Sequence, residues 1–490
     1  MSAVRRSSYR LTFVVLAVGA GAFSLLSSLV SPVLPLLETN LHTNQATVTW
    51  VLTAYLLSAS IFTPILGRVG DMIGKEKVLV AVLTALALGS IVAALATSIG
   101  VMIVARTIQG IGGGVIPLSF GIIRDEFPRD KVAGAVGVIA ALLAVGGGLG
   151  LVLAGPIVNT LDYHWLFWIP GAVVALAAVA TYLVVPESPV RTPGRISWLP
   201  AVLLSGWLVC LLLAVSQAPS WGWASGPVLG LLLAAVVLCV AWVVVELRSA
   251  TPLIDMRMMR IPAVWTTNLV ALLFGAGMYS TFAFLPEFVQ TPSSAGYGFG
   301  ASITESGLII LPMTITMFVF GLASGSLSAR FGAKAVLIAG STITIVPFLM
   351  MAFAHSALWQ VAVAMGLLGV GFGLAFSAMS NIIVDAVPTT QTGVASGMNA
   401  NIRTIGGCLG AAVVASVITS TTQADGYPKE SGYTAGFGLL ALALALAALC
   451  GLLIPNLHVE RDAHQREQAA MSHPELALVP AGTIVGDESE

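Results

Sequence analysis

The stretch "VMIVARTIQGIGGGVIPLSFGII", residues 101–123, is apolar or small throughout except for an arginine and a glutamine, Arg106 and Gln109. A helix that crosses a bilayer needs about 20 mostly apolar residues, and this stretch is long enough. The rest of the chain agrees, because 57% of its 490 residues are hydrophobic and only 9% are charged. Soluble domains carry far more charge. The sequence therefore predicts an all-α integral membrane protein.

Fourteen apolar stretches of this kind predict fourteen transmembrane helices. They lie near residues 11–36, 47–67, 78–97, 100–122, 133–159, 165–185, 197–216, 226–247, 265–289, 304–327, 335–354, 358–384, 392–420 and 434–455. The first stretch is too long for the core of a signal peptide, and no small-residue cleavage site follows it. We therefore expect it to remain as a helix.

The distribution of positive charge tests this helix count, since lysine and arginine favour cytoplasmic loops. With fourteen helices and a cytoplasmic N-terminus, eighteen of the 21 lysines and arginines fall on the cytoplasmic side. The other three are Lys429 in an outer loop and Arg106 and Arg403 within helices. We therefore expect both termini in the cytoplasm. The net charge of −1 gives no reason to expect a nucleic-acid partner.

The two halves of the chain repeat each other. The segment "GRVGDMIGK" from Gly67 is matched by "GSLSARFGAK" from Gly325, 258 residues later. Three further pairs have offsets between 251 and 260 residues: Leu34-Pro35 with Leu285-Pro286, Gly110 with Gly369, and Gly146 with Gly406. An even number of helices separates the copies, so the halves are expected to share one orientation, as parallel repeats do in transporters.

This repetition predicts two six-helix bundles with two further helices inserted between them. The predicted segments are a cytoplasmic N-terminus (1–10), an N-terminal bundle (11–188), a two-helix insert with cytoplasmic linkers (189–262), a C-terminal bundle (263–456) and a disordered cytoplasmic tail (457–490).

Several other classes of protein are disfavoured. No stretch outside the helices is long enough for an ATPase domain, and Gly74-Lys75 is followed by Glu76 rather than the serine or threonine of a phosphate-binding loop. The glycine runs in helices 4 and 5 follow no strand, so they favour close helix contacts over a dinucleotide site. The four cysteines lack the spacing of a metal site. We expect no enzymatic activity, no cofactor and no metal.

Five segments carry motifs that belong together. They are "TWVLTAYLLSAS" in helix 2, "GRVGDMIGK" after it, "RTIQG" in helix 4, "TPLIDMRMMR" before helix 9 and "GVASGMNANIRTIGGCLG" in helix 13. In this combination the chain resembles the major facilitator superfamily and, within it, the fourteen-helix drug:proton antiporters of bacteria.

The resemblance implies a secondary transporter in the bacterial cell membrane. It would export hydrophobic small molecules such as antibiotics, driven by inward proton flow, while two bundles rock about a central site. Import of a nutrient or metabolite by proton symport on the same scaffold is the alternative. The expected partners are the substrate, protons and the lipid bilayer, and we expect the protein to act as a monomer.

Two positions depart from the pattern of these antiporters. The acidic residue that they commonly carry in helix 1 is replaced here by Leu26. This weakens the expectation that the substrates are lipophilic cations bound by a membrane carboxylate. In helix 5 the antiporter motif reads "GLVLAGP", with Leu151 where a proline is typical, although Pro156 can introduce a bend nearby.

The helix-4 motif supplies three candidates for transport and coupling, Arg106, Gln109 and Gly110, and the resemblance points to the same residues. Their spacing places them on one side of the helix. An arginine at this depth must face protein or water. In one interpretation Arg106 binds backbone carbonyls and braces the helix. In the other it lines the N-terminal side of the cavity and couples protonation to substrate release.

Helix 13 supplies two further candidates, Asn399 and Arg403. Arg403 lies eleven residues after the predicted start of the helix, about 16 Å along it at about 1.5 Å per residue, and so approaches the middle of the membrane. It is either an anchor to a carbonyl or a lining residue for a polar or anionic group of the substrate.

Glu287 is a candidate specific to one half of the chain, because the equivalent position in helix 1 is Leu36. It is either a rim carboxylate at the outer end of helix 9 or a proton site that faces an outer vestibule. Asp385, at the cytoplasmic end of helix 12, has the same two interpretations.

The segment "GRVGDMIGK" is predicted to be a loop, with Gly67, Arg68, Asp71, Gly74 and Lys75 as its motif residues. In one interpretation Arg68 and Asp71 are hydrated surface charges. In the other, Asp71 lies near a helix N-terminus or a basic group and latches the inner end of the bundle, while Gly67 and Gly74 allow tight turns. The second copy has an alanine in place of the aspartate, so any such latch is asymmetric.

Overall fold

A computed structural model describes most of the chain. The described residues are 9–43, 45–48, 50–187, 198–249, 252, 254, 256–388, 391–421, 423 and 427–455. The predicted tail, residues 457–490, and nearly all of the predicted N-terminal segment, residues 1–10, lie outside them.

The described residues contain fourteen helices that are long and apolar enough to cross a bilayer. They are α1 (Tyr9–Val33), α2 (Trp50–Ile73), α3 (Lys75–Ala94), α4 (Ile99–Glu126), α5 (Arg129–Thr160), α6 (Trp165–Val184), α7 (Trp198–Trp221), α8 (Gly226–Arg248), α9 (Pro262–Gln290), α10 (Ile303–Phe331), α11 (Ala333–Phe353), α12 (Leu358–Ala386), α13 (Thr392–Thr419) and α14 (Glu430–Leu452). The predicted fold class is thereby confirmed.

The helix ends depart from the predicted ends by a few residues, most of all in α2, which was predicted to stop near residue 67 and continues to Ile73. Two helices contain a tighter turn. α1 closes with a 3₁₀ turn at Ser31–Val33, and α4 is interrupted by another at Ile111–Gly114, within its glycine run. We call the membrane face at which α1 begins the inner face, because the charge distribution predicts it to be cytoplasmic.

The six helices of each half pack in the same pairs. In the first half α1 packs on α5, α2 on α4 and α3 on α6. In the second half the equivalent pairs are α9 with α13, α10 with α12 and α11 with α14. The repeated motifs of the sequence thus correspond to repeated packing, as expected of two copies of one bundle.

The halves meet through small residues along α5 and α10. At the outer end, a Cβ added to Gly155 would lie 3.1 Å from Thr304, and at the inner end one added to Gly325 would lie 3.5 Å from Gly134. Helices in a membrane associate through such close van der Waals contact rather than through the hydrophobic effect. On the opposite side of the molecule, α13 contacts α2 and α4.

The two inserted helices differ in their surroundings. α7 packs on α2 and α13, and its residues Leu204 and Leu208 belong to the same buried cluster as Val394 and Met398 of α13. The described part of α8 contacts mainly α7 and exposes most of its apolar side chains, such as Leu233, which is 66% exposed. α7 therefore lies beside the line where the two halves meet, and α8 faces outward.

Candidate functional site

A cavity of about 480 Å³ lies between the two halves. Its lining comes from α1, α2, α4 and α5 of the first half, from α9, α12 and α13 of the second, and from α7 of the insert. It extends from Ser31 and Leu52, at the outer ends of α1 and α2, to Phe120 and Ile383, near the inner ends of α4 and α12. A cavity of this size is large enough to enclose a drug-sized molecule.

One wall of the cavity is a polar stripe on α1. Ser24, Ser27, Ser28 and Ser31 follow one another at intervals of three, one and three residues, which places them on one face of the helix. The Ser27 hydroxyl donates to the Ser24 carbonyl at 2.6 Å, and the Ser24 hydroxyl donates to the Leu143 carbonyl of α5. The stripe is therefore polar but uncharged, and its hydroxyl oxygens are available as acceptors.

The opposite wall comes from α13 and carries Asn399 and Arg403, one helical turn apart. The Asn399 amide nitrogen donates to the side-chain oxygen of Asn268 on α9 at 2.9 Å. The Arg403 guanidinium lies over the Phe376 ring of α12, with its carbon 5.1 Å from the ring centre. Both candidates from helix 13 thus line the cavity.

Arg106 does not line the cavity, so the interpretation that placed it there is wrong on this point. Its side chain is 0% exposed and lies behind the Tyr55 ring, whose centre is 4.3 Å from the guanidinium carbon. It donates to the backbone carbonyls of Val51 at 3.2 Å and Leu26 at 3.3 Å. Tyr55 lines the cavity and fills the space between the cavity and this arginine. Arg106 therefore joins α4 to α2 and α1.

The other two residues of the helix-4 motif complete the same contact. Gln109 accepts from Arg106 at 2.7 Å and donates to the Ser90 hydroxyl of α3 at 3.0 Å. Gly110 lies where a Cβ would come 2.7 Å from the Tyr55 carbonyl, so only glycine permits this approach of α4 to α2. The motif residues form a buried polar network that connects α4 with α1, α2 and α3.

Glu287 lies outside the cavity lining. Its side chain is exposed near the outer end of α9, a turn beyond Ala283 and Phe284, which do line the cavity. Asp385 is likewise exposed, at the inner end of α12. Neither carboxylate is in direct contact with the central space.

The predicted gating motif lies in a helix rather than in a loop, and this is a correction. Residues from Gly67 to Ile73 form the last two turns of α2, with Arg68 half-buried, and Asp71 is only 1% exposed. The interpretation of Asp71 as a hydrated surface charge is therefore wrong. Of the motif glycines, Gly74 is the one that makes the turn, with φ at 118° between α2 and α3.

Asp71 lies near both a basic group and a helix N-terminus. Lys75 Nζ is 3.2 Å from its carboxylate and 2.8 Å from that of Asp125, and all three side chains are buried. Across the interface, a Cβ added to Gly393, the second residue of α13, would lie 3.2 Å from each Asp71 carboxylate oxygen. The positive end of a helix favours such an anion. At the same crossing, a Cβ on Gly67 would lie 2.8 Å from the Gly393 carbonyl.

Arg124 makes a second connection between the halves at the inner face. From the end of α4 it donates to the Thr392 hydroxyl at 2.6 Å, to the Val387 carbonyl at 2.7 Å and to the Val384 carbonyl. These acceptors belong to α12, α13 and the link between them. The inner ends of the two halves are thus held together below the cavity.

The comparison with protein families decides the identity of the fold. The sequence model of the Major Facilitator Superfamily matches residues 16–411 and, in a second overlapping match, residues 267–485. The chain belongs to the major facilitator superfamily. It is accordingly a multi-pass membrane transporter of small molecules and not an enzyme.

Named relatives within the superfamily differ in their described cargo. The chain is 28% identical over 423 residues to the tetracenomycin C resistance and export protein of Streptomyces glaucescens, covering 86% of this chain and 77% of that one. It is 27% identical over 465 residues to the uridine/deoxyuridine transporter of Lactococcus lactis subsp. cremoris, covering 90% and 94%. Among solved structures, the human organic anion transporter MFSD10 has the same fold, with a TM-score of 0.67, 18% identity and coverage of 90% and 99%.

The second copy of the predicted gating motif, from Gly325, makes different polar contacts from the first. Ala329 stands at the aspartate position, and Lys334 donates to the Leu452 carbonyl of α14, within its own half, at 2.9 Å. Gly332, the motif's eighth residue, keeps the positive φ of Gly74, at 85°. The turn is therefore repeated, and Gly325 also makes a contact across the halves, with Gly134, but the contact of an aspartate with the other half is not repeated.

Sequence reasoning missed the contribution of the insert to the site. Ser216 of α7 lines the cavity, and its hydroxyl lies 3.4 Å from that of Thr53 on α2. Beyond the end of α7, the Trp223 indole donates to the Ser416 hydroxyl of α13 at 2.7 Å. The insert has no counterpart in the repeat, so no pattern in the sequence indicated where it docks.

Proposed function

We propose that this protein exports hydrophobic small molecules, antibiotics among them, across a bacterial cell membrane in exchange for inward-moving protons. The observation that carries the proposal is the cavity of about 480 Å³, which reaches the outer ends of its helices while the inner ends are closed. A central site open toward one face is one half of an alternating-access cycle. In the other half of the cycle the inner contacts separate and the outer ends close.

The inner closure supports this cycle because its contacts are specific and local. Arg124 binds the link between α12 and α13, and Asp71 faces the start of α13. We propose that the motif from Gly67 to Lys75 is the inner latch and that it opens when the halves rock. A single chain encloses the whole cavity, which supports action as a monomer.

The halves that rock are proposed to be residues 11–188 and 263–456. The insert, residues 189–262, is proposed to move with the second half, since α7 shares a buried apolar cluster with α13 and the Trp223 indole is hydrogen-bonded to α13. Its contact with the first half through Thr53 and Ser216 then changes during transport.

Proton flow is proposed as the energy source. A membrane potential of 100 mV supplies about 2.3 kcal/mol for each proton charge that crosses, which corresponds to roughly fifty-fold accumulation of substrate before any pH difference is added. No described residue in the cavity lining is acidic, so the proton-accepting carboxylate lies elsewhere. We propose Glu287 for this role, at the outer face, where it can exchange protons with the medium.

Arg106 is proposed to couple proton and substrate movement through Tyr55 rather than by contact with the substrate. Its charge lies 4.3 Å from the Tyr55 ring centre, and Tyr55 lines the cavity. With Gln109 and Gly110 it fixes the position of α4 against α2, so a change in this network alters the shape of the cavity wall.

The name of the Streptomyces relative supports export, since that protein is described as a resistance and export protein. A second candidate function has its own support. The hydroxyls of α1 and the amides of α13 suit a polar metabolite, and the Lactococcus relative, covered over 94% of its length, is described as a uridine/deoxyuridine transporter. Import of such a nutrient by proton symport is therefore the alternative.

Energised membrane vesicles distinguish the two functions. A susceptibility screen in a pump-deficient host, with and without this protein, first identifies a compound to which it gives resistance. We expect inverted vesicles that contain the protein to accumulate this compound when respiration is started. Uridine uptake into right-side-out vesicles, with no drug accumulation in inverted ones, would instead establish the importer.

A further inference from the structure

The described lining of the central cavity contains one formal charge. Of the described residues that line it, Arg403 is the only charged one. It lies eleven residues after the first residue of α13, about 16 Å from the inner end of the helix at about 1.5 Å per residue. A cation at this depth is costly unless water, a counter-charge or acceptors surround it.

No residue in the described part of the chain provides a counter-charge for Arg403. Its contact with the Phe376 ring stabilises one face of the guanidinium. Among the described residues, none forms an ion pair with it or accepts a hydrogen bond from its guanidinium. Arg106 differs in this respect, because two carbonyls and Gln109 accept from it. The donors of Arg403 thus remain available to a molecule in the cavity.

The backbone around Arg403 is held rigidly. Gly275 of α9 lies directly against the Arg403 carbonyl, and Gly406 lies against the Leu272 carbonyl, so neither position has room for a Cβ. One turn beyond Gly275, the Tyr279 ring also lines the cavity. A guanidinium that is stacked on one aromatic ring and carried by a rigid helix is pre-organised to bind a ligand.

We propose that Arg403 binds the acidic group of an aromatic organic anion, a carboxylate or a phenolate. This inference rests on the proposed function, because it names the substrate class of the same cavity. The planar guanidinium presents paired donors that match a carboxylate. Phe376 and Tyr279 provide aromatic surface for the body of the ligand.

The remainder of the cavity is consistent with a ligand that carries one negative group and no positive group. The α1 wall opposite Arg403, formed by Ser24, Ser27, Ser28 and Ser31, is uncharged. A cationic ligand would meet the charge of Arg403 in a region of low dielectric, where like charges repel strongly. The cavity therefore favours anions over cations of the same size.

Two dyes that share a xanthene core test the charge preference, namely fluorescein, which is anionic, and rhodamine 123, which is cationic. Their binding to the full-length protein in lipid nanodiscs is followed by fluorescence anisotropy, without any gradient. We expect tighter binding of fluorescein than of rhodamine 123. Arg403→Gln should weaken fluorescein binding about tenfold or more and leave rhodamine 123 binding equal or tighter. Arg403→Lys should fall between the two, because lysine keeps the charge but not the paired donors.

The matched control is Arg330→Gln. This arginine also stacks on a phenylalanine, with its carbon 5.2 Å from the Phe331 ring centre, but it lies at the inner end of α10, outside the cavity lining. Arg330→Gln should change the binding of neither dye. An equal loss of binding of both dyes in Arg403→Gln would show that Arg403 has a structural role and would overturn the proposal. So would unchanged binding, or a wild-type protein that does not bind fluorescein.

The proposed function and this inference fail in different experiments. Charge-selective binding that depends on Arg403, without drug accumulation in inverted vesicles, would contradict export and leave the anion site in place. Drug accumulation without any effect of Arg403→Gln on dye selectivity would overturn the anion site alone.

Discussion

The glycine contact between α2 and α13 permits a direct test of the inner closure. A Cβ added by Gly67→Ala would lie 2.8 Å from the Gly393 carbonyl oxygen, 3.0 Å from its carbonyl carbon and 3.3 Å from the Pro117 side chain. Carbon and carbonyl oxygen normally approach to about 3.3 Å, so the two helices must separate by roughly 0.5 Å. Overpacking of this kind costs about 1–3 kcal/mol.

The part of this cost that comes from Gly393 applies only while the inner face is closed, since Gly67 and Gly393 belong to opposite halves of the transporter. Gly67→Ala should therefore shift the equilibrium toward the inward-open state by about 5- to 150-fold, the factor that corresponds to 1–3 kcal/mol. The protein should still fold, because once the halves have separated at this face the methyl group meets only the Pro117 side chain of its own half, at 3.3 Å.

A cysteine at Ser396, which lines the cavity, reports the shift. In a background without the four native cysteines, Gly67→Ala should decrease its labelling by an impermeant maleimide from the outer face and increase it from the inner face. The matched control is Gly134→Ala, at the inner end of α5, where an added Cβ has nothing within 4 Å. Equal labelling in Gly67→Ala and this control would refute the argument.

Three further predictions concern coupling and the insert. Arg106→Ala should abolish proton-driven export at normal expression. Arg106→Lys should restore export only in part, since lysine lacks the planar fork that reaches two carbonyls. A fully active alanine variant in a vesicle assay would leave this arginine as an anchor only. Glu287→Gln should reduce coupled transport while the membrane level stays normal, and an unchanged pH dependence of transport would identify it as a rim residue. A disulfide between cysteines at Thr53 and Ser216, whose hydroxyls are 3.4 Å apart, should block transport reversibly, whereas full activity of the cross-linked protein would show that α7 does not move relative to α2.

The number and order of the helices could be predicted because each apolar stretch is long enough to span a bilayer and each is bounded by charge or glycine. The residue at which α2 ends was predicted less accurately than the number and order of the helices. Gly67 and Gly74 were both expected to allow tight turns, yet of the two only Gly74 has a positive φ, while a Cβ on Gly67 would meet Gly393 of α13. A glycine required for a close contact and a glycine required for a turn look alike in sequence.

The site could be predicted only in part, and the reason is related. Helical spacing shows which residues share a face, and so it grouped Arg106 with Gln109 and Gly110, whereas Asn399 and Arg403 came from the resemblance of helix 13. Spacing does not show whether a shared face meets the cavity or another helix. Arg403 lines the cavity, whereas Arg106 is screened from it by Tyr55. The contacts of Arg124 depend on residues about 260 positions away, which no local pattern indicates.

Exchange of protons for substrate is the central claim, and the pH inside inverted vesicles tests it most directly. Vesicles that contain the protein and trapped pyranine are acidified by respiration, and the compound identified by the susceptibility screen is then added. We predict that the lumen becomes more alkaline while the compound accumulates inside, and that Arg106→Ala vesicles show neither change. Outflow of the compound together with protons, or its accumulation without any change of luminal pH, would contradict proton antiport.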